Sequence, residues 1–251
     1  MHVVIAGLGL IGGSLGKALR RRGWRVGFAD PAVSLDEARA AGAADEKVDN
    51  LAGDLLVLAT PANVAIEILG SLRGADQMVT SVASAMAPLR SAAADVNFVA
   101  GHPFAGSELR GLGAAREDLF AGRPWFVDRD DPAVRSMIEA AGGDPILVDA
   151  EEHDRIMAMT SHLPQVVATA LASMLDGIDP RFVGTGARSM LRLAGSSHEV
   201  WQPILEQNET GISAAAEELW RTMQRIGPEE FAKAQRFYRA VIGASSGRPE
   251  R

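Results

Sequence analysis

Up to about residue 148, apolar positions fall in short β-branched runs separated by alanine-rich stretches of helical period. "HVVIA", "RVGFAD", "DLLVLAT", "QMVTSVA", "VNFVAG", "PWFVD" and "PILVD" read as strands. Their alternation with helical windows predicts a largely parallel sheet covered by helices, an α/β unit over 1–149. From Ala150 onward the β pattern fades. "EEHDRIMAMTSHLPQVVATALASMLDG" and "EEFAKAQRFYRAVIGA" carry a helical period and predict an all-helical unit over 150–251. "GGDP" at 142–145 and "DGIDP" at 176–180 are breakers, the tail "SSGRPER" reads as frayed, and no internal repeat is visible.

The pattern of the first strand and helix carries chemistry. "HVVIAGLGLIGGSLGKAL" runs from an apolar strand through Gly7-x-Gly9-x-x-Gly12 into a helix, with Leu10 and Ile11 between the second and third glycines. This is the context of a Rossmann-like dinucleotide fingerprint: Gly7 for the tight turn, Gly9 for approach of a pyrophosphate, Gly12 for close helix–strand packing, and a helix N-terminus offering free N–H donors. A second strand, "WRVGFAD", ends in Asp30, placed to accept from the adenosine ribose hydroxyls. A carboxylate there repels the 2′-phosphate of NADP, so NAD is the expected cofactor. "DLLVLATPANVAIEIL" ends its strand at Thr60-Pro61, on the sheet edge where cofactors lie.

Composition narrows the class. The chain has 251 residues, room for one large domain or two smaller ones, and 47% of them are apolar. No apolar run reaches the roughly 18–20 residues that span a bilayer, and "MHVVIAGLG" lacks the features of a secretory signal. A soluble, cytoplasmic protein without membrane contact is expected. There is no cysteine, and the five histidines show no metal-ligand spacing, so neither disulfides nor a metal cofactor are expected. The net charge of −7 argues against non-specific nucleic-acid binding. The window "IMAMTSHLPQVVATALASML" is more apolar than a helix on a single-layer surface, which predicts pairing of two subunits in a homodimer.

"VAGHPFAGSE" sets His102 between a glycine and a proline at the end of an apolar run, where ligands gather in parallel sheets. An imidazole there can take a proton near neutral pH. Arg188 and Arg192 lie four apart and share a helix face. Ser161 and Gln165 share another.

Taken together, "GLGLIGGSLGKAL", "LLVLATP", "GHPFAGSE", "SHLPQVVA" and "R..LR.A.SS..VW..I...N" occur in the order of the prephenate and arogenate dehydrogenase family, which the chain resembles to about residue 215. The resemblance implies a Rossmann-like domain, a helical dimerising domain, and oxidative decarboxylation of prephenate, or of arogenate, with NAD or NADP in tyrosine biosynthesis. His102 resembles the family's catalytic histidine, and Ser84 its serine that hydrogen-bonds the reacting hydroxyl. Arg192 resembles the arginine that grips a substrate carboxylate, and Arg188 sits where a lysine is often found. Glu108 is placed at the pocket entrance.

Two departures stand out. The family's D-x-G-S-x-K pattern becomes Ser81, Ala83, Ser84 and Met86, and a second histidine of "SHLPH" becomes Gln165, which cannot carry a positive charge. Arogenate or another amino-substituted cyclohexadiene therefore stays open as substrate, as does a non-catalytic NAD-binding protein. His153, His198 and His2 read as structural or solvated, His162 as packing or capping beside Pro164, and Trp201 as core.

Overall fold

A computed structural model describes residues 1–106 and 109–245. The chain opens with β1 (His2–Ala6), α1 (Leu10–Arg21), β2 (Arg25–Ala29), α2 (Leu35–Ala40), β3 (Glu46–Lys47) and β4 (Leu55–Leu58). It continues through α3 (Ala62–Ser71), β5 (Met78–Ser81), α4 (Ala87–Ala92) and β6 (Phe98–Val99). These six strands form one parallel sheet in the order β3-β2-β1-β4-β5-β6.

The apolar runs are explained by burial on both faces of this sheet. Val3 and Ile5 of β1, with Leu55 and Val57 of β4, pack to one side against Leu15 and Leu19 of α1. Val4, Ala6, Leu56 and Leu58 pack to the other, against Leu69 of α3 and Leu89 of α4. A parallel strand covered by helices on both sides has no polar face, so its sequence runs apolar without alternation.

At residue 100 the chain leaves this sheet. β7 (Gly101–Pro103) pairs antiparallel with β8 (Pro124–Val127), which pairs in parallel with β9 (Asp144–Leu147); α5 (Pro132–Ala140) connects those two. The predicted strand "VNFVAG" is thus two strands, and His102 lies within the second rather than beyond the first. Arg90 fastens the switch: it is ion-paired with Asp128 and donates to the Phe98 carbonyl, while Asp128 accepts from the Ala100 N–H at 2.9 Å. Pro103 is tolerated because β7 is the edge of its small sheet and needs no full ladder of donors.

The remainder is helical: α6 (Ala150–Met157), α7 (Leu163–Met174), α8 (Thr185–Met190), α9 (His198–Gln207), α10 (Glu209–Met223) and α11 (Pro228–Ser245). Between α6 and α7, Ala158–His162 form a π-helical turn. Pro164 is its cause, since proline has no N–H and its ring crowds the carbonyl four residues back, a conflict that local widening of the helix relieves. Asp149 starts α6 by accepting from the N–H groups of Glu151 and Glu152, each at 3.1 Å.

Candidate active site

The nucleotide cleft is built at the C-terminal ends of β1, β2 and β4. Gly7 has φ +90°, and a side chain there would come within 2.6 Å of the Ala59 carbonyl oxygen. At Gly12 a Cβ would meet the Gly7 carbonyl oxygen at 2.1 Å, so α1 lies directly on the strand it follows. Gly9 differs: a Cβ there would meet nothing within 4 Å, which leaves its backbone open to a ligand. Leu10 and Ile11 begin α1 part-exposed beside it. Asp30 follows β2 and accepts from the Leu8 N–H and the Ala32 N–H, both at 2.8 Å, so it also holds the glycine loop in place. Thr60 has a buried hydroxyl without a protein partner, and Pro61 opens α3. An open glycine backbone at a helix N-terminus, an acid after β2 and an orphan hydroxyl fit a dinucleotide.

His102 is buried, at 8% exposure, and lines a pocket of about 320 Å³ with Ser84, Phe104, Ser161, His162 and Trp201 among its walls. Gly101 sets its position: a Cβ there would lie 2.6 Å from the Ser81 carbonyl oxygen, and its N–H donates to Ser81 Oγ at 3.2 Å. Ser81, at the family's acid position, therefore anchors β7 to the end of β5.

Behind His102 runs a chain of hydrogen bonds. Its Nδ1 is 2.9 Å from His153 Nε2, and His153 Nδ1 is 2.7 Å from Asp154 Oδ1. Asp154 also accepts from the N–H groups of Met86 at 2.8 Å and Ala87 at 2.9 Å, at the start of α4. The Asp154 oxygens accept from those two backbone donors and face His153 Nδ1, so the proton on His153 belongs on Nδ1. His153 Nε2 is then an acceptor, His102 Nδ1 carries a proton, and His102 Nε2 is left with its lone pair. This tautomer follows from the bonding network.

His162 is fixed likewise. Asn208 Nδ2 donates to the Asp154 carbonyl at 2.7 Å and lies 3.2 Å from His162 Nδ1, which makes that nitrogen the acceptor and puts the ring's proton on Nε2. Trp201 packs edge-on against the ring, with centroids 6.1 Å apart. Burial pushes His102 down to about 3, and the proximity of the His153 and His162 rings acts in the same direction. Burial also pushes His162 down to about 4, against the opposing pull of Asp154. Both imidazoles are neutral at physiological pH.

Of the residues singled out from sequence, Ser84, His102 and Ser161 meet in this pocket. Arg188 and Arg192 do not: they line a separate open cleft with Leu175, Ile178 and Val183. Arg188 is turned onto the carbonyls of Val183 and Pro180. Gln165 is buried beside Thr169, to which it donates at 3.1 Å, and its Oε1 has no partner. Glu108 lies outside the described residues. His2 approaches Glu46 at 3.1 Å, and His198 is exposed at the start of α9.

His153, read from sequence as structural or solvated, is buried and bonded to His102. His162, read as packing or capping, is buried against Trp201 and also lines the pocket, and Trp201, read as core, is only half-buried on that wall. The signal for His153 lay in the pair His153-Asp154 itself, but nothing local says that this helix crosses behind β7.

A Rossmann-type sheet with an open glycine loop, and a neutral imidazole whose bare nitrogen faces a pocket beside it, define a dinucleotide-dependent dehydrogenase. Residues 15–132 match the family described as prephenate dehydrogenase, nucleotide-binding domain, and 149–234 match the prephenate dehydrogenase dimerization domain. The chain belongs to the prephenate dehydrogenase family of NAD-dependent oxidoreductases. It is 33% identical over 244 residues to the probable prephenate dehydrogenase NovF of Streptomyces niveus, covering 89% of this chain and 67% of that protein. The structure resembles arogenate dehydrogenase of Synechocystis with a TM-score of 0.81 at 25% identity, covering 98% of this chain and 99% of the other. It also resembles prephenate dehydrogenase of A. aeolicus in complex with hydroxyphenyl propionate and NAD+, with a TM-score of 0.80 at 25% identity over 98% and 96% of the two chains. Among the described residues, no helix is long and apolar enough to cross a membrane.

Proposed function

We propose that this protein is a cytoplasmic, homodimeric prephenate dehydrogenase, with His102 as the general base. The observation that carries this reading is the bonding of His102, which leaves Nε2 bare toward a pocket also lined by Ser84 and Ser161. Gly7, Gly9, Gly12, Asp30 and Thr60 would hold the NAD, which would supply the acceptor for the hydride lost from C4 of the substrate ring. His102 Nε2 takes the proton of the C4 hydroxyl, and Ser84 orients that hydroxyl by hydrogen bonding. The ring carboxylate leaves as CO2, its C–C bonding pair entering the ring, which becomes aromatic, and the oxygen at C4 takes the proton back from His102 to give the phenol. The aromatic walls Phe104 and Trp201 pack against the ring. His162 Nε2–H and Ser161 donate to substrate oxygens. Arg192, with Arg188 beside it, is proposed to bind a substrate carboxylate, and Gln165 to shape the side-chain end of the pocket.

The test is steady-state turnover of prephenate, arogenate and 4-amino-4-deoxyprephenate with NAD and with NADP. Prephenate with NAD should have the highest kcat/KM, and His102→Asn should lose activity by about 10²- to 10⁴-fold with NAD binding retained. An undiminished rate in that variant removes His102 from its role.

A further inference from the structure

Prephenate carries its reacting hydroxyl at C4 and, across the ring at C1, both a ring carboxylate and a side chain that ends in a second carboxylate. With C4 held at Ser84 and His102, both negative charges fall at the other end of the ring. Among the described residues lining the pocket, none brings a cation to meet them, since its two imidazoles, His102 and His162, are held neutral by burial.

One arginine stands at the rim. Arg110 follows the pocket residues Phe104, Ala105 and Gly106 along the chain, and its guanidinium reaches the start of α9. There Nη2 donates to Ser197 Oγ, while Nη1 lies 3.4 Å from Glu199 Oε2. Ser197 is one helical turn before Trp201, and Trp201 and Ile204 wall the pocket, so the guanidinium sits a single turn from that wall. The segment that carries it is anchored on its other side to α1. Leu112 packs so closely on Gly13 that a Cβ there would lie 2.7 Å from its Cδ1; the Arg116 N–H donates to Ser14 Oγ at 2.9 Å, and Lys17 Nζ to the Ala115 carbonyl at 2.7 Å. Arg110 is thereby held between the helix that opens the nucleotide cleft and the helix that walls the substrate pocket.

We propose that Arg110 is the residue that recognises the carboxylate at the end of the substrate's side chain. The inference rests on the proposed reaction at His102. In the ligand-free protein each of the two Nη atoms faces one oxygen, and a single carboxylate can engage the same two donors at once. Exchange of partners costs little, because the side chains of Arg110 and Glu199 are 51% and 79% exposed and an ion pair of that kind contributes little to stability. The side-chain carboxylate is the one that survives the reaction, whereas the ring carboxylate is lost as CO2. Arg110 therefore acts on binding and leaves the chemical step alone.

The test uses two product-like phenols of equal size, 3-(4-hydroxyphenyl)propionate and its neutral amide, bound to the protein with saturating NAD and followed by calorimetry. The wild-type protein should prefer the acid, and Arg110→Ala should weaken the acid by about tenfold or more while the amide stays within about twofold. Arg110→Lys should recover part of the lost affinity. In turnover, Arg110→Ala should raise prephenate KM by a similar factor with kcat within about twofold of wild type. Equal weakening of acid and amide marks a structural role and overturns the proposal, as does an unchanged affinity for the acid or a fall in kcat at constant KM. The binding equilibrium involves neither proton nor hydride transfer. Failure of the reading at His102, judged from His102→Asn, is thus told apart from failure of Arg110.

Discussion

The rings of His102 and His153 stand nearly perpendicular, at 89°, with Nδ1 of one 2.9 Å from Nε2 of the other. One comes from a sheet edge and the other from a helix 51 residues later. Their contact joins the nucleotide-binding half of the chain to the helical half, and Asp154 completes it by holding the start of α4.

That double duty of Asp154 gives the first prediction. Asparagine has one oxygen where the carboxylate uses both, for Met86 N–H, Ala87 N–H and the His153 ring. In Asp154→Asn the amide N–H₂ faces donors, and the His153 tautomer is no longer fixed. kcat should drop about 10²- to 10⁴-fold, with prephenate KM changed far less, and the melting temperature should fall. Asp154→Glu should recover part of the rate if the carboxylate positions His153. A KM effect without a kcat effect would argue against that role.

Gly9 and Gly12 should separate binding from folding. Gly9→Ala places a methyl in open space, so the melting temperature should stay at the wild-type value while NAD affinity, measured by calorimetry, weakens. Gly12→Ala drives a methyl into the Gly7 carbonyl and should cost about 1 to 3 kcal/mol of stability. Equal NAD affinity in Gly9→Ala and wild type would move the pyrophosphate elsewhere.

The two depressed histidines predict an acid-sensitive fold. His102 and His162 are pushed from 6.5 to about 3 and about 4 in the native state. As pH falls below 6.5 the unfolded chain binds protons that the folded chain refuses, so stability declines with falling pH across the window from 6.5 toward 4. It is fully present above 6.5, where both states are neutral. Differential scanning should show the melting temperature lower by about 5 °C or more at pH 5 than at pH 7. In His162→Gln this dependence should be shallower. An equal slope in that variant would show that His162 does not stay neutral in the fold.

Arg192 lies outside the His102 pocket within a single chain, so its proposed grip on a carboxylate needs either closure of the helical segment or a second subunit. Arg192→Ala should raise prephenate KM by about tenfold or more, the cost of losing a charge-assisted bond, with NAD affinity unchanged. Arg188 is already satisfied by two backbone carbonyls, and Arg188→Ala should act mainly on stability. The opposite ranking of the two variants would exchange their roles.

The nucleotide half was legible because its signals are local. A buried parallel strand needs an unbroken apolar run, a tight turn onto a helix needs glycine, and each requirement is met by neighbours in sequence, as in Val3–Gly12. His102 was legible for the same reason, set off by Gly101 and Pro103. The short strand β3 was missed because its two residues, Glu46 and Lys47, carry no apolar pattern. The break of "VNFVAG" into β6 and β7 also left no local mark, since both pieces are apolar and only the Arg90–Asp128 pair and the Ser81 contact show where the chain changes sheets.

By itself the sequence determined the α/β class, the helical second half, the glycine loop and the identity of the imidazole that faces the pocket, because each depends on contacts between residues close along the chain. Only the tertiary structure decided that His153 stands behind His102, that His162 and Trp201 wall the pocket, and that Arg192 lies apart from it within one chain. Those relations depend on where a helix of the second half crosses a strand of the first, and on a π-helical turn that rotates Ser161 and His162 into the pocket. Such placement is set by packing summed over many distant residues, which no short stretch of sequence encodes.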